Sequence, residues 1–167
     1  MTTVHIVFGP QGAGKSTYAS ALAGSQQATH FSIDQWMAQL YGPDLPRPLD
    51  IRWIFERVER CERQIWTTAC QIASTGGDVV LDLGFMKQRN RAKFIELCAQ
   101  ASVRCALHYV TANADLRRRR VSARNVEKGG TFAFEVTPAM FNFMEKEFEQ
   151  PSELELVGAT VLRTDAP

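Results

Sequence analysis

The order of elements along this chain predicts an α/β fold with a doubly wound parallel sheet. Short apolar runs typical of buried strands alternate with segments of helical periodicity. Five such runs occur, at residues 4–8, 28–33, 79–82, 103–110 and 160–163. Ligands bind at the carboxyl ends of the strands in sheets of this kind, so we expect the functional residues there.

Length and composition fit a single domain that spans residues 1–167. The chain is 45% hydrophobic and has a formal net charge of +1, which allows one sizeable core and gives no strong attraction to polyanions. No leader pattern occurs at the first residues, and no apolar run approaches the ~20 residues of a membrane span. We therefore expect a cytoplasmic protein without a membrane partner. The cysteines form no C-x-x-C pair and are expected to be buried thiols rather than metal ligands: Cys61, Cys70, Cys98 and Cys105.

The stretch that follows the first apolar run matches the phosphate-loop (Walker A) pattern G-x-x-x-x-G-K-[ST]. Its glycines let successive backbone N–H groups turn toward one point at a helix N-terminus, where a polyphosphate can bind. Lys15 is expected to reach the β and γ phosphates and Ser16 to ligate Mg²⁺. A plain glycine-rich connection is the alternative. The predicted nucleotide contacts are Gly9, Gln11, Gly12, Ala13, Gly14, Lys15, Ser16 and Thr17.

Two acids close apolar runs and are candidates for chemistry at the sheet edge. Asp82 ends the third run, where a Walker B acid would bind Mg²⁺ directly or through water. A hydrogen bond to a nearby loop or helix is its alternative role. Asp34 directly follows the second run and could accept a proton from a substrate hydroxyl, or cap the helix that starts there. The residues alone leave both roles of Asp34 open, and the roles are compatible.

A strongly basic helix precedes the polar segment 125–135. Arg120 and Arg124 lie four residues apart and so share one helix face. On a closing lid, at about residues 120–136, their guanidinium groups would stabilise charge on a transferring phosphoryl group, and Arg120 would also contact the nucleotide. We expect the intervening arginines of the run, Arg117 to Arg119, to be solvated. The alternative for the whole run is a basic surface that touches nucleic acid.

In these residues the chain resembles small P-loop kinases, a group that includes chloramphenicol phosphotransferase, zeta-toxin kinases and the kinase half of polynucleotide kinase. More narrowly, it is similar to bacterial proteins labelled AAA-domain ATP-binding proteins. One departure is Ser32, since several relatives carry an acid at this position. The matching segments are the phosphate loop, residues 32–34, residues 81–85, the helix with Arg89 and Arg91, residues 107–109, residues 120–125 and residues 148–151.

The resemblance implies a three-layer fold of the nucleoside and nucleotide kinase type, with a five-stranded parallel sheet and a short lid. It implies ATP- and Mg²⁺-dependent transfer of the γ-phosphoryl group to a hydroxyl of a small molecule. Asp34 matches the general base of the group, and Arg120 and Arg124 match its lid arginines. With Lys15, these are the catalytic residues that we predict.

The acceptor pocket is expected to involve the helix that begins near residue 51 and the proline-rich loop before it. The predicted substrate contacts are Asp34, Trp36, Arg52, Trp53 and Arg57. We expect a monomer or homodimer. Two other functions stay open: a polynucleotide 5′-hydroxyl kinase, although nucleic acid is not the favoured partner, and a nucleotide-dependent switch that hydrolyses ATP slowly and transfers nothing.

Overall fold

The computed structural model describes residues 2–128 and 135–165. Residues 129–134, which belong to the predicted lid, lie outside the described part. No helix within the described ranges combines the length and the hydropathy needed to cross a membrane. The elements are β1 (Thr3–Phe8), α1 (Lys15–Gln26), β2 (Thr29–Ser32), α2 (Ile33–Tyr41), a 3-10 turn (Gly42–Asp44), α3 (Ile51–Ser74), β3 (Val79–Asp82), α4 (Gln88–Gln100), β4 (Arg104–Thr111), α5 (Ala114–Glu127), α6 (Pro138–Glu147), α7 (Glu153–Leu156) and β5 (Thr160–Arg163).

The five strands form one sheet in the order β2-β3-β1-β4-β5. Every neighbouring pair is parallel, which confirms the predicted five-stranded parallel sheet. All carboxyl ends therefore meet at one edge, and the central strand β1 leads directly into the phosphate loop. Ser32 at the end of β2 lies opposite Asp82 at the end of β3. The residues that follow these two strands are consequently neighbours.

The core covers both faces of the sheet. On one face, Ile6 and Phe8 of β1 pack in a cluster with Ile65 of α3. On the other face, Val7 packs with Ala19 of α1. Every residue of β1 is buried, which explains why its sequence is a nearly continuous apolar run rather than an alternating one. The layers are therefore helix, sheet and helix.

Two helices extend beyond their predicted ends. The glycine at the start of residues 24–26 predicts a break after the first helix, but α1 runs through these residues and ends at Gln26. Its C-cap, Gln27, has a left-handed φ of 52°. A single glycine within a helix costs only about 1 kcal/mol, so Gly24 does not stop it. Helix α5 continues through Asn125, which was predicted to lie in a polar segment outside the helix. The Asn125 side chain donates to the Val136 carbonyl (2.8 Å) and accepts from the Val136 N–H (3.0 Å).

A buried polar chain joins two strands to α1. His5 Nδ1 lies 2.9 Å from His108 Nε2, and the Tyr18 hydroxyl lies 2.8 Å from His108 Nδ1. His108 is only 7% exposed. Burial lowers the pKa of His108 from 6.5 to about 4, and His5 contributes to the lowering. The folded protein therefore holds this imidazole in its neutral form at physiological pH.

This network of His5, His108 and Tyr18 makes the stability of the protein depend on pH. An unfolded chain binds a proton on His108 near pH 6.5, whereas the folded state binds it only near pH 4. The neutral His108 side chain therefore contributes about 3 kcal/mol to the free energy of unfolding. This contribution is complete above pH 6.5 and is lost as the pH falls toward 4. We predict that His108→Gln reduces the loss of unfolding free energy between pH 7 and pH 4.5, as measured by urea denaturation. Equal pH dependence in the variant and the parent would contradict this role.

Candidate active site

The phosphate loop, residues 9–14, lies at the carboxyl edge of the sheet and forms one wall of a cleft. The other walls come from the ends of β2 and β3 and from helices α5 and α6. Seven of the eight predicted nucleotide contacts line this cleft: Gly9, Gln11, Gly12, Gly14, Lys15, Ser16 and Thr17. The eighth, Ala13, is fully buried beneath the loop.

Two glycines let the loop approach its neighbours more closely than any other residue could. A Cβ atom at Gly9 would lie 1.9 Å from the carbonyl oxygen of Val110 in β4. A Cβ atom at Gly12 would lie 2.6 Å from the carbonyl oxygen of Arg117 in α5, and Gly12 also has a left-handed φ of 78°. The loop is thus packed against both β4 and α5, and its shape requires glycine at these positions.

The start of α1 presents unpaired backbone N–H groups to the cleft. Gly14 is the N-cap of the helix and has no side chain to accept a hydrogen bond. The N–H groups of the first helical turn have no partner within a helix, and the residues of that turn, Lys15 to Thr17, line the cleft. A helix N-terminus of this kind carries partial positive charge and attracts anions such as phosphate.

Lys15 lies across the loop that precedes it. Its Nζ atom donates to the Pro10 carbonyl oxygen at 3.0 Å. Burial lowers the pKa of Lys15, while the carboxylates of Asp82 and Asp34 act in the opposite direction. The Lys15 side chain therefore lies in the cleft, within reach of the charges of both acids, where an arriving anion would meet it.

Ser16 and Asp82 form an oxygen pair at the base of the cleft. The Ser16 hydroxyl donates to Asp82 Oδ2 at 2.7 Å, and Asp82 is only 5% exposed. Within residues 2–128 and 135–165, no group of three or more His, Cys, Asp or Glu side chains is arranged to hold a metal ion. Mg²⁺ commonly takes one or two protein oxygens and completes its shell with phosphate and water. A hydroxyl and a carboxylate in contact fit that requirement.

Asp34 lies in the first turn of α2 and lines the same cleft. The N-cap of α2 is Ser32, whose hydroxyl accepts from the Gln35 N–H at 3.4 Å. The alternative in which Asp34 caps the helix is therefore wrong. Asp34 as a whole residue is exposed, but desolvation by the protein atoms around its carboxylate raises its pKa, and the charge of Asp82 raises it further. Lys15 and Arg124 partly oppose this rise.

Arg120 and Arg124 of α5 both line the cleft, but their partners differ. Arg120 is fixed to the segment after β5, since it donates to Thr164 Oγ1 at 2.7 Å and to the Thr164 carbonyl at 3.0 Å. The Nε atom of Arg124 is buried and has no hydrogen-bond partner among residues 2–128 and 135–165. Since buried donors are nearly always paired, this Nε–H is a donor that a ligand in the cleft could engage.

Comparison with known families identifies the chain. A family of AAA domains, designated AAA_33, matches residues 4–151. The chain belongs to this AAA-domain family. The match includes the phosphate loop, both acids and both cleft arginines, and it confirms the resemblance to small P-loop kinases. Among curated proteins, none matches the sequence.

Solved structures show how widely this AAA domain shares its fold. A candidate kinase from Chloroflexus aurantiacus has a TM-score of 0.79 at 17% identity, covering 99% of this chain and 90% of that protein. Kti12 from Chaetomium thermophilum, in complex with ADP-AlF3, has a TM-score of 0.71 at 13% identity, with 99% and 90% covered. The APS kinase of Mycobacterium tuberculosis, in complex with AMPPNP and APS, has a TM-score of 0.63 at 18% identity, with 99% and 90% covered. The fold is that of the P-loop kinases.

Arg117 is not solvated as predicted. It is 6% exposed, and its guanidinium donates to the Gln11 carbonyl at 3.2 Å and to the Ala112 carbonyl at 2.9 Å. Its remaining nitrogen forms an ion pair with Glu145 of α6 at 2.6 Å. One side chain thus joins the phosphate loop to the two helices that close the cleft. Arg118 and Arg119 are exposed, as predicted.

The other predicted substrate contacts lie at α2 and the start of α3, and none of them lines the cleft. Trp36 packs edge-on against Phe31. Arg57 stacks on Trp53 at 3.8 Å and donates to the Trp53 carbonyl at 3.0 Å, while Arg52 is exposed. Only Asp34, of the five substrate residues, is brought next to the phosphate loop. A substrate role for the other four stays a prediction.

Sequence reasoning missed several residues of this AAA-domain site. The Thr164 hydroxyl accepts from Arg120 and donates to the Ala13 carbonyl at 2.9 Å. Met86 after β3 and Met144 on α6 line the cleft. His30 Nε2 lies 3.9 Å from Asp82 Oδ2. Only Met86 had a local signal, because it follows the run that Asp82 closes; the others reach the site through tertiary packing.

Replacing Arg117 tests the connection between loop and helices. Arg117→Met keeps the apolar stem but leaves two carbonyls and Glu145 without their partner. We expect a loss of roughly 3 kcal/mol of unfolding free energy, as for other broken buried pairs, measured by thermal and urea denaturation. Arg118→Met is the matched control, since Arg118 is exposed on the next position of α5. Equal stability of the two variants would contradict a connecting role for Arg117.

Proposed function

We propose that this protein is an ATP- and Mg²⁺-dependent phosphotransferase that moves the γ-phosphoryl group to a hydroxyl of a small molecule. The observation that carries the proposal is the placement of Asp34 in the same cleft as the phosphate loop, Lys15 and Arg124. An acid that can accept a proton faces cations and N–H groups that can hold a triphosphate. This is the arrangement that phosphoryl transfer to an alcohol needs.

The protein's part in the reaction is mainly positioning and charge stabilisation. The N–H groups of the loop and of the first turn of α1 would hold the β and γ phosphates. Lys15 would exchange its bond to the Pro10 carbonyl for phosphate oxygens. Arg124 would donate its open Nε–H to the transferring group, while Arg120, fixed by Thr164, would lie against the nucleotide. When bound by Ser16 and Asp82, Mg²⁺ would neutralise developing charge on the phosphate oxygens.

Asp34 would act as the general base. Its carboxylate accepts the proton of the acceptor hydroxyl as the alcohol oxygen forms a bond to the γ phosphorus. The bond between that phosphorus and the β,γ-bridging oxygen breaks, and ADP leaves with the electron pair. The raised pKa of Asp34 suits this task, because a base works best when its pKa approaches the working pH.

The relatives support the general class of the reaction. The structure of APS kinase contains AMPPNP and APS, and that of Kti12 contains ADP-AlF3, so proteins of this fold bind adenine nucleotides in these complexes. As part of the same proposal, the chain is a single cytoplasmic domain that is a monomer or homodimer, and its partner is a small molecule rather than a nucleic acid.

Two variants separate nucleotide binding from transfer. Lys15→Ala should abolish nucleotide turnover because the cation that holds the phosphates is gone. Asp34→Asn should retain ATP binding by calorimetry but lower transfer by about 10²–10⁴-fold, the usual contribution of a general base. Transfer is measured with γ-labelled ATP and fractionated metabolites, nucleosides, antibiotics and oligonucleotides. Transfer by Asp34→Asn at the parental rate would remove Asp34 from its role.

The same label distinguishes the two rival functions. A switch protein would release labelled phosphate and label no metabolite, and Asp34→Asn would leave its hydrolysis unchanged. A polynucleotide 5′-hydroxyl kinase would label oligonucleotides, and its binding would weaken steeply between low and physiological salt.

The pH dependence of kcat gives an independent check. Since burial and Asp82 raise the pKa of Asp34 above its ordinary value of 3.8, protonation should remove the base at a pH above that value. We therefore predict that kcat rises with pH through an acidic limb that lies above the ordinary range of an aspartate. Asp34→Asn should lose this limb. If the acidic limb of the kcat profile persists unchanged in Asp34→Asn, the limb reports the titration of another group.

A further inference from the structure

We propose that the acceptor bound in this cleft is an alcohol without negative charge, neutral or cationic, with an apolar body. This inference rests on the proposed function and adds the chemical class of its substrate. It follows from the distribution of charged and apolar side chains between the two halves of the cleft.

The order of the strands divides the cleft into two halves. Strands β4 and β5 lie on one side of β1, and Arg120 is tied there through Thr164, which follows β5. Strands β3 and β2 lie on the other side of β1. Asp34 follows β2 and Met86 follows β3. Because Asp34 is the proposed base, the acceptor half is the one over the ends of β2 and β3.

The acceptor half is lined by acids and apolar groups. Ile33 follows β2 and Met86 follows β3, and both line the cleft. Met144 lines it from α6, whose end lies beside Met86 because the Glu149 N–H donates to the Met86 carbonyl at 2.8 Å. Asp34 supplies the free acid of this half, next to Asp82. Methionine side chains are flexible and polarisable and adapt to irregular apolar ligands. This lining suits a hydrophobic body that carries a hydroxyl toward Asp34.

Among the described residues that line the cleft, no cationic side chain is left over for an anionic acceptor. Lys15, Arg120 and Arg124 are the basic residues that line the cleft in the described part of the chain. All three are assigned to the triphosphate or to the nucleotide side. The residues outside the description, residue 1, residues 129–134 and residues 166–167, contain no Lys, Arg or His, so they cannot supply a further cationic side chain.

Three basic residues on the segments that follow β2 and β3 are engaged elsewhere. Lys87 forms ion pairs with Glu147 at 3.1 Å and Glu149 at 3.5 Å. Arg91 is fully buried and bonded to Glu155 at 2.7 Å. Arg57 lies on the Trp53 ring. None of these side chains lines the cleft.

An anionic acceptor would therefore lose its hydration without gaining a partner. Transfer of an unpaired charge out of water is strongly unfavourable, and the Asp34 carboxylate would add repulsion between like charges, while Asp82 is assigned to Mg²⁺. A neutral alcohol avoids both costs. A cationic alcohol would gain attraction from the Asp34 carboxylate.

The test measures binding rather than turnover. The protein, saturated with Mg²⁺ and AMPPNP so that anions cannot occupy the phosphate loop, is screened by ligand-observed NMR. The probes are alcohols in equal neutral, cationic and anionic groups with matched apolar bodies, including phenyl β-glucoside, phenyl β-glucosaminide and phenyl β-glucuronide. We expect neutral or cationic members to bind and anionic members to bind at least tenfold more weakly. Anionic probes that bind as well as the others, or no binding by any group, would overturn the inference.

Two variants locate the binding within the cleft. Met144→Lys places a cation in the acceptor half and should improve binding of the anionic probes relative to the neutral ones. Phe143→Lys is the control, since Phe143 is the adjacent residue of α6, is 53% exposed and does not line the cleft. An equal gain in both variants would contradict the location. The location would also be contradicted if Arg57→Gln lost binding of the anionic probes, because that result would place an anion site at α3.

Failure of this inference is distinguishable from failure of the proposed function. If labelled phosphate reaches an anionic alcohol, the charge class is wrong and the phosphotransferase function stands. If neutral alcohols bind as expected but no label is ever transferred, the inferred charge class of the ligand is supported and the phosphotransferase function is wrong.

Discussion

The close approach of the phosphate loop to β4 and α5 is the constraint on which the site depends. The loop touches backbone on both sides, at the carbonyls of Val110 and Arg117, and only Gly9 and Gly12 permit these contacts. The same packing fixes α5, whose Arg120 and Arg124 face the cleft. N–H groups and guanidinium groups that could act on one triphosphate are therefore positioned by a single set of contacts.

The order of strands in the sheet sets the chemistry of the cleft. Because β3 lies between β1 and β2, the residues after β2 and β3 are placed beside the phosphate loop. Asp82 then accepts a hydrogen bond from Ser16. Asp34 lies near enough to Asp82 and Lys15 for their charges to shift its pKa. Asp34 and Asp82 follow β2 and β3 on one side of β1, whereas Arg120 is fixed on the other side through Thr164, which follows β5. That separation gives the site a direction along which a phosphoryl group could move.

Much of the fold could be predicted because its signals are local. Buried parallel strands give continuous apolar runs, and the phosphate loop has a specific pattern between a strand and a helix. Helix ends were less predictable: Gly24 looked like a stop, but tertiary packing of α1 outweighs its small helical cost. Asp34 was predicted to be able to cap α2, but the structure shows that Ser32, whose residue type suits an N-cap equally well, accepts from the Gln35 N–H.

Long-range partners were beyond sequence reasoning. The position of Arg117 on a basic helix indicated exposure, but its partners are Gln11, 106 residues earlier, and Glu145 on another helix. Thr164 and Met144 reach the cleft from distant parts of the chain in the same way. Periodicity assigns a residue to a helix face; it does not tell which element covers that face.

The central claim is that the loop and the first turn of α1 hold a polyphosphate chain. Competition against a fluorescent ATP analogue in the presence of Mg²⁺ tests this most directly, with inorganic tripolyphosphate and adenosine as the competitors. The account predicts that tripolyphosphate displaces the analogue and that adenosine does so far more weakly. Displacement by adenosine alone, or no binding of the analogue at all, would contradict it.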